Sequence, residues 1–265
     1  MALRMGATER WNAGLVLAAA LAGGLLLFFE GYAGRLRWFF VLYAAATLVW
    51  DLWIAVTAIS RRRLVFLSLA AGLVGYMTQV VGVGNRIWVY TGPARSFYFV
   101  PFTFVLAAVA MYGLVRYPLG ILAAPLDGIK ARWPNLLLAV ALVVALCVAA
   151  GRFSSGLNPG FWAYYLLLGS FLLYGSRRLA FRSLAAVVVA GWIVGLASEW
   201  LGSQSGLWAF QTGSGHPPLF LVLGSWPTEF FLYYASSGIV AGDPLDQVGG
   251  RKPAEAGACA SVAGR

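Results

Sequence analysis

Long apolar runs separated by short polar or charged stretches dominate this chain. A helix needs about 20 predominantly apolar residues to cross the hydrocarbon core of a bilayer. Eight segments approach or exceed that length: residues 13–32, 36–59, 64–83, 96–118, 134–151, 159–176, 180–201 and 217–240. The pattern therefore predicts an all-α, polytopic membrane protein with about eight transmembrane helices, most of them joined by short loops into helical hairpins.

The composition supports the same class and excludes others. Of the 265 residues, 61% are hydrophobic and 11% are charged, whereas a soluble domain carries roughly 25% charged residues. The net charge of +10 does not indicate nucleic acid, because the basic residues follow alternate loops and do not form one basic face. By the positive-inside rule, this bias predicts a multi-pass protein of the cell's inner or plasma membrane with both termini in the cytoplasm.

The loops divide the chain into two groups of four spans. Residues 1–118 form the first predicted four-helix unit, and 119–133 a cytoplasmic linker marked by Pro125 and Gly128. Residues 134–241 form the second unit. The tail, 242–265, is small, polar and rich in Gly and Ala, so we expect it to be disordered. The first apolar run is followed at once by another span, which favours a retained helix over a cleaved signal peptide.

The two units resemble each other where their third spans leave the membrane. Residues of the first unit match residues 120 positions later: Gly75 and Gly195, Thr78 and Ser198, Gln79 and Glu199, Gly82 and Gly202, Trp88 and Trp208, Tyr90 and Phe210. With six extra residues in the second loop, Pro101 then matches Pro227. Because each unit has an even number of spans, a parallel repeat about an axis along the membrane normal is predicted. The competing explanation is coincidence, since Gly, Trp and Pro are all common at membrane interfaces.

Four acidic residues lie in the predicted spans: Glu30, Asp51, Glu199 and Glu229. No basic residue clearly lies there to pair with them, so burial disfavours their charged form and we expect neutral, proton-donating acids. An ionisable residue inside a membrane indicates function by default. For Glu30 the simpler interpretation is an interfacial residue that reaches water, and for Asp51 a packing residue bonded to Thr47 or to another helix.

Pro227 lies two residues before Glu229 and should kink its helix, because a proline removes one backbone hydrogen bond and clashes with the carbonyl four residues earlier, here Leu223. Pro101 could free the carbonyl of Phe97 in the same way. A kink beside a buried acid makes room for a cavity. The plainer interpretation is an ordinary proline kink of a membrane helix.

Aromatic residues accompany the acids. One interpretation is an interfacial belt of Trp side chains; the other is a pocket whose aromatic faces stabilise a substrate cation. The pocket hypothesis assigns these residues to substrate binding: Trp208, Trp226, Trp192, Phe210, Gln79 and Trp88. The only histidine, His216, lies at a predicted boundary, and Cys147 and Cys259 fall in different compartments. We therefore predict no metal site.

The stretch from Glu199 to Phe231 resembles the membrane-integral carotenoid (lycopene) cyclase domain family. That family has an acid before an outer loop, then G-x-W-x-F/Y, then Pro-x-Glu followed by aromatic residues. The matching segments here are Glu199, Gly206–Phe210 and Pro227–Phe231. The E-x2-G-x3-G pattern of Glu199, Gly202 and Gly206 is similar to membrane carotenoid hydratases. The cyclases usually carry a second acid where this chain has Phe230.

These observations lead to one functional hypothesis and one alternative. The first is an enzyme acting on a long isoprenoid or carotenoid-like lipid, an isomerase or lyase of the cyclase or hydratase type. In it Glu229 protonates a double bond, Glu199 assists, and Asp51 is a further candidate catalytic residue. No cofactor is evident from the residues; the resemblance alone implies that reduced flavin or nicotinamide could take part. The alternative is a non-enzymatic protein, either a small proton-coupled transporter or a structural or assembly factor.

Overall fold

The computed structural model describes residues 5–93, 95–127, 129, 132–152, 158–177, 179–211 and 219–242. The described residues form nine α-helices: α1 Ala7–Phe29, α2 Trp38–Thr57, α3 Arg61–Gly84, α4 Val100–Arg116, α5 Pro118–Leu122, α6 Arg132–Arg152, α7 Pro159–Ser176, α8 Phe181–Gln204 and α9 Leu219–Ala241. Two short strands, β1 Trp88–Tyr90 and β2 Trp208–Phe210, follow α3 and α8. His216 and residues 243–265, including Cys259, lie outside the described residues.

Six helical segments in this part of the chain are long and apolar enough to cross a membrane: α1, α2, α3, Val100–Leu122, most of α6, and α8. The prediction of an all-α membrane protein is therefore confirmed at this level. The other two long helices, α7 and α9, are rich in Tyr, Gly and Ser, so they are less apolar. For them a full membrane crossing stays a prediction.

Four helices form the centre of the bundle. α3 packs on α4, α8 on α9, α3 on α9, and α4 on α8. The pair α1 and α2 lies against α4 on one side, and the pair α6 and α7 lies against α9 on the other. We call the end that carries β1 and β2 the strand end, and the end that carries α5 the linker end. At the strand end the two strands pair antiparallel, with Trp88 opposite Phe210 and Tyr90 opposite Trp208.

Two expected boundaries differ from the structure. α1 begins at Ala7, six residues before the predicted apolar run. The polar side chains of its first turns form hydrogen bonds within the protein, so the helix can extend beyond the apolar run. α4 begins at Val100, so Pro101 occupies its first turn, where the missing N–H costs nothing. The Phe97 carbonyl accepts a bond from the Val100 N–H at 3.0 Å. The prediction that Pro101 interrupts a helix as Pro227 does is wrong, since only Pro227 lies inside its helix.

The predicted linker is partly helical. It contains α5 and a 3-10 turn from Ala124 to Leu126. Arg182 at the start of α8 donates to the Asp127 carboxylate at 2.6 Å and to the Gly120 carbonyl at 2.8 Å. These two bonds tie the connection between the halves to the linker end of the bundle.

One hydrogen-bond arrangement occurs twice. The buried Asn12 side chain on α1 donates to two backbone carbonyls at the end of α2, at 2.9 and 3.0 Å. The buried Asn135 side chain on α6 donates to two carbonyls at the end of α7, both at 2.7 Å. Carbonyls at a helix end have no partner within the helix. Each asparagine side chain therefore supplies hydrogen-bond donors to carbonyls at the end of the next long helix.

Replacing Asn135 by Ala should lower the free energy of unfolding by about 1–3 kcal/mol, the usual effect of leaving buried carbonyls unpaired. Leu137→Ala is the matched control, because Leu137 lies two residues further along α6 and is 69% exposed. Thermal unfolding of the purified protein in detergent measures both. Equal losses in the two variants would contradict the assigned role.

Candidate functional site

Glu199, on the last turns of α8, is held between two tryptophans. The Trp208 indole N–H donates to Oε2 at 3.0 Å, and the Trp226 indole N–H donates to Oε1 at 3.1 Å. Trp208 comes from β2 and Trp226 from α9. Indole has one donor and a large apolar body, so the two rings orient the carboxyl group and surround it with apolar surface.

Gln79 on α3 has a closely similar setting. Its side-chain oxygen accepts the indole N–H of Trp88 at 2.8 Å and the hydroxyl of Tyr90 at 2.6 Å. Nine residues separate Gln79 from Trp88, as nine separate Glu199 from Trp208. An amide in one half and a carboxyl group in the other therefore each accept the indole N–H of the tryptophan nine positions later, whereas their second donors differ: Tyr90 for Gln79 and Trp226 for Glu199.

Glycines bring the two tryptophans close to their helices. A Cβ added at Gly82 would overlap the Trp88 ring, and one added at Gly202 would overlap the Trp208 ring. Each glycine lies three residues after the amide or the acid. The absence of a side chain there lets the indole fold back over the helix and reach the polar group.

A cavity of about 380 Å³ lies beside Glu199, between α1, α2, α4 and α8. Its lining is mostly apolar and includes five of the predicted site residues: Gln79, Trp88, Glu199, Trp208 and Trp226. Tyr90 and Phe104 complete an aromatic wall, and Phe104 stacks on Trp226 with ring centres 5.1 Å apart. Small residues of α1 and α2, among them Gly23 and Ala44, leave the space open.

The cavity reaches the outer surface of the bundle. Four lining residues on α1 and α2 are exposed: Gly24, Val41, Ala44 and Ala45. Both helices are among those long and apolar enough to cross a membrane. The cavity therefore opens at the side of the bundle, between two apolar helices.

Glu229 lies elsewhere. Its Oε1 accepts the Thr78 hydroxyl at 2.9 Å and its Oε2 accepts the Tyr233 hydroxyl at 3.3 Å. The Thr78 hydroxyl also lies 2.6 Å from the Tyr164 hydroxyl. Glu229 lines a separate, small cavity of about 10 Å³, which Glu199 also borders. It does not line the large cavity.

The remaining predicted residues occupy supporting positions. Trp192 donates its indole N–H to the Leu223 carbonyl at 2.9 Å, which is the carbonyl that Pro227 leaves without its helical partner. Phe210 borders the small cavity. Asp51 is fully buried on α2, one turn beyond the cavity residues Thr47 and Leu48, and neither of its oxygens has a hydrogen-bond partner among the described residues.

Glu30 caps the end of α1 and is only 7% exposed. The interpretation of this residue as an interfacial side chain that reaches water is therefore wrong. Burial raises the pKa of Glu30, and the nearby Ser96 side chain and Tyr98 backbone offset part of that rise. Glu30 does not line either cavity.

Several site residues carried no strong sequence signal. Tyr43 on α2 shares a hydrogen bond of 3.0 Å with Ser198, the residue before Glu199. Thr78 reaches Glu229 from the other half of the chain. The paired glycines of α1 and the run of three alanines of α2 were the only signals for the cavity, because small residues in apolar helices indicate either close packing or open space.

Among the described residues, no group of three or more His, Cys, Asp or Glu side chains could hold a metal ion. The chain matches no protein-family model, no curated protein and no solved structure. The fold and the six apolar helices define the class as an all-α membrane protein.

Gly82→Ala should destabilise the protein, because the added methyl group would push Trp88 off Gln79 and break a buried hydrogen bond worth about 1 kcal/mol or more. Gly84→Ala is the control on the same helix, since a Cβ there meets nothing within 4 Å and Ala favours helix over Gly. Thermal unfolding should rank Gly82→Ala well below Gly84→Ala. A reversed order would contradict this account of the glycines.

Proposed function

We propose that this protein is an integral-membrane enzyme that modifies a long isoprenoid or carotenoid-like lipid by protonating a carbon–carbon double bond. The observation that carries the proposal is the position of Glu199. Among the described residues that line the large cavity, Glu199 is the one carboxylic acid. It therefore combines a proton donor with an apolar space that opens toward lipid.

The size and the opening of the cavity favour a lipid substrate. An apolar cavity of about 150 Å³ is known to hold a benzene molecule, so a cavity of about 380 Å³ has room for roughly 15 carbon atoms. The exposed lining residues of α1 and α2 provide a lateral entrance. The end of a long chain can occupy the cavity while the rest of the chain stays in the bilayer.

The aromatic wall suits a reaction that passes through a cation. The faces of Trp, Tyr and Phe attract positive charge, and Trp226, Trp208, Phe104 and Tyr90 surround the space beside Glu199. Described basic side chains do not contribute to this lining. A carbocation formed next to Glu199 would therefore lie against aromatic faces. It would also lie beside the Glu199 carboxylate, which forms when the carboxyl group gives up its proton.

The chemical steps balance without a redox partner. The Glu199 carboxyl group gives its proton to one carbon of a double bond, and the π electrons form the new C–H bond. The cation left on the other carbon is attacked by a second double bond in a cyclase, or by water in a hydratase. A neighbouring carbon, or the added water, then loses a proton to the Glu199 carboxylate, which restores the acid.

This proposal exchanges the roles first assigned to the two acids. Glu229 was the expected donor and Glu199 its assistant. A general acid must come within hydrogen-bond reach of the atom it protonates, and it is Glu199 that borders the large cavity. Trp192 and Asp51 do not line the large cavity, and we assign neither of them contact with substrate.

The parallel arrangements in the two halves support a duplicated origin. Asn12 and Asn135 make corresponding bonds, and Gln79 and Glu199 each accept the indole N–H of the tryptophan nine positions later. We infer two parallel four-helix repeats, with α1 to α4 corresponding to α6 to α9. On this inference all eight long helices cross the membrane, and one repeat has kept an amide where the other has an acid.

Glu199→Gln should abolish product formation, with at least a hundred-fold loss, because an amide cannot donate the required proton and general acids contribute about 10²–10⁴-fold. The variant should still fold, since Gln79 accepts an indole N–H in the equivalent setting. The measurement is lipid mass spectrometry of cells that accumulate lycopene, geranylgeranyl lipids or quinone precursors. Unchanged lipids with the native chain, in all three backgrounds, would overturn the enzyme proposal.

Gly24→Leu should block the lateral entrance and lower lipid conversion by at least ten-fold while leaving thermal stability near that of the native chain. Gly24 lines the cavity and a Cβ there meets nothing within 4 Å. Gly14→Leu is the matched control, because Gly14 lies on the same helix, has the same open surroundings and does not line the cavity. Equal activity of the two variants would argue against entry between α1 and α2.

Glutamine variants of the two acids separate the enzyme from a proton-coupled transporter. A transporter that uses the buried acids would lose uptake on Glu229→Gln without any change in lipid composition. The enzyme proposal expects changed lipids in the native chain and their loss in Glu199→Gln. The two proposals therefore differ in which acid matters and in what is measured.

A further inference from the structure

Part of the surroundings of the small cavity corresponds to part of the surroundings of the large one. The Tyr43 hydroxyl on α2 bonds Ser198, and the Tyr164 hydroxyl on α7 bonds Thr78. Ser198 borders the large cavity and Thr78 borders the small one. The two spaces therefore lie beside corresponding helices of the two halves.

Three larger side chains occupy positions that correspond to small residues lining the large cavity. Eleven residues after Asn12 comes Gly23, whereas eleven after Asn135 comes Leu146. Ala44 follows Tyr43, whereas the buried Tyr165 follows Tyr164.

The third change involves the acid. The Phe104 ring packs over Gly75, and the Trp226 ring packs over Gly195, so these two rings correspond and the sequence match of Pro101 with Pro227 does not hold in the structure. Three residues after Phe104 is Ala107, which lines the large cavity, and three residues after Trp226 is Glu229. Glu229 places a carboxyl group at the edge of the small cavity.

Hydrogen bonding shows what this small space must supply. The two acids accept bonds from four groups, which are the indoles of Trp208 and Trp226 and the hydroxyls of Thr78 and Tyr233. The indole N–H groups can only donate, whereas the hydroxyls of Thr78 and Tyr233 can also accept the O–H of a neutral Glu229. The O–H of a neutral Glu199 carboxyl group has no acceptor among the described residues.

A water molecule meets this requirement. A polar space of about 10–15 Å³ is the smallest that holds one water, and the water needs two to four polar partners. The small cavity has that volume and is bordered by Glu199, Glu229, Thr78 and Ser225. Each carboxylate oxygen can accept a second bond beside the one it already has.

We propose that the small cavity binds one water molecule that hydrogen-bonds to both Glu199 and Glu229, and that Glu229 exchanges a proton with Glu199 through this water. The proton on one carboxyl group moves to the water oxygen as a water proton moves to the other carboxylate, so charge and atoms are conserved. Glu229 is a positioning residue, because it acts through Glu199 and not on substrate. The effect of this proton exchange on catalysis rests on the proposed function, whereas the water site does not.

Infrared spectroscopy of the full chain in lipid nanodiscs, without substrate, tests the coupling. Glu199→Gln identifies the carboxyl or carboxylate bands of Glu199. Glu229→Gln should shift those bands, and Ser225→Val, which fills the small cavity, should shift them with both acids present. Thr228→Val is the control, because the Thr228 hydroxyl donates to Gly224 on its own helix at 2.7 Å and does not border the cavity.

Bands of Glu199 that stay unchanged in both Glu229→Gln and Ser225→Val would overturn the proposal. If either variant fails to fold, a high-resolution structure of the unchanged chain decides the question. A density peak within hydrogen-bond distance of both carboxyl groups supports the water site, and its absence at a resolution that shows other buried waters contradicts it. Neither measurement involves lipid conversion, so failure here is distinct from failure of the proposed function.

Discussion

A carboxylic acid buried inside an apolar bundle is the constraint on which the rest of this structure depends. Without hydrogen bonds such a group costs several kcal/mol, and a membrane supplies no water to provide them. Glu199 meets the requirement with two indole N–H groups. Indole is suited to this because its single donor leaves the remainder of the ring apolar. The bare surfaces of Gly202 and Gly195 bring the rings close, and β2 fixes the direction from which Trp208 arrives.

The two halves show how one arrangement can acquire two uses. Gln79 keeps the geometry of Glu199 without the proton. Gly23 and Ala44 leave space beside Glu199, whereas Leu146 and Tyr165 occupy the corresponding positions of the other half. Differences in side-chain size at a few positions thus accompany one open, apolar cavity and one small cavity that both carboxyl groups border. The asymmetry lies in side-chain volume, since the helices themselves pack in corresponding ways.

Sequence reasoning reached the class and the residues around Glu199, because apolar length and residue spacing are local properties. It did not reach the choice between Glu199 and Glu229. The nearby Pro227 singled out Glu229, but the direction of the Glu229 side chain depends on packing against α3. Pro101 was misjudged for a related reason, since a proline at a helix start and one inside a helix look alike until the boundary is known. The cavity depends on which small residues of α1 and α2 face inward. The residues around them are also apolar, so the sequence carries no periodic pattern that identifies the inward face.

The central claim is that the space beside Glu199 holds the end of an isoprenoid lipid that enters between α1 and α2. The most direct measurement places a photoreactive amino acid at position 24 or, as a control, at position 14, irradiates whole membranes, and identifies the attached lipid by mass spectrometry. The account predicts an isoprenoid adduct at position 24 and only bulk phospholipid at position 14. The same phospholipid adducts at both positions would contradict it.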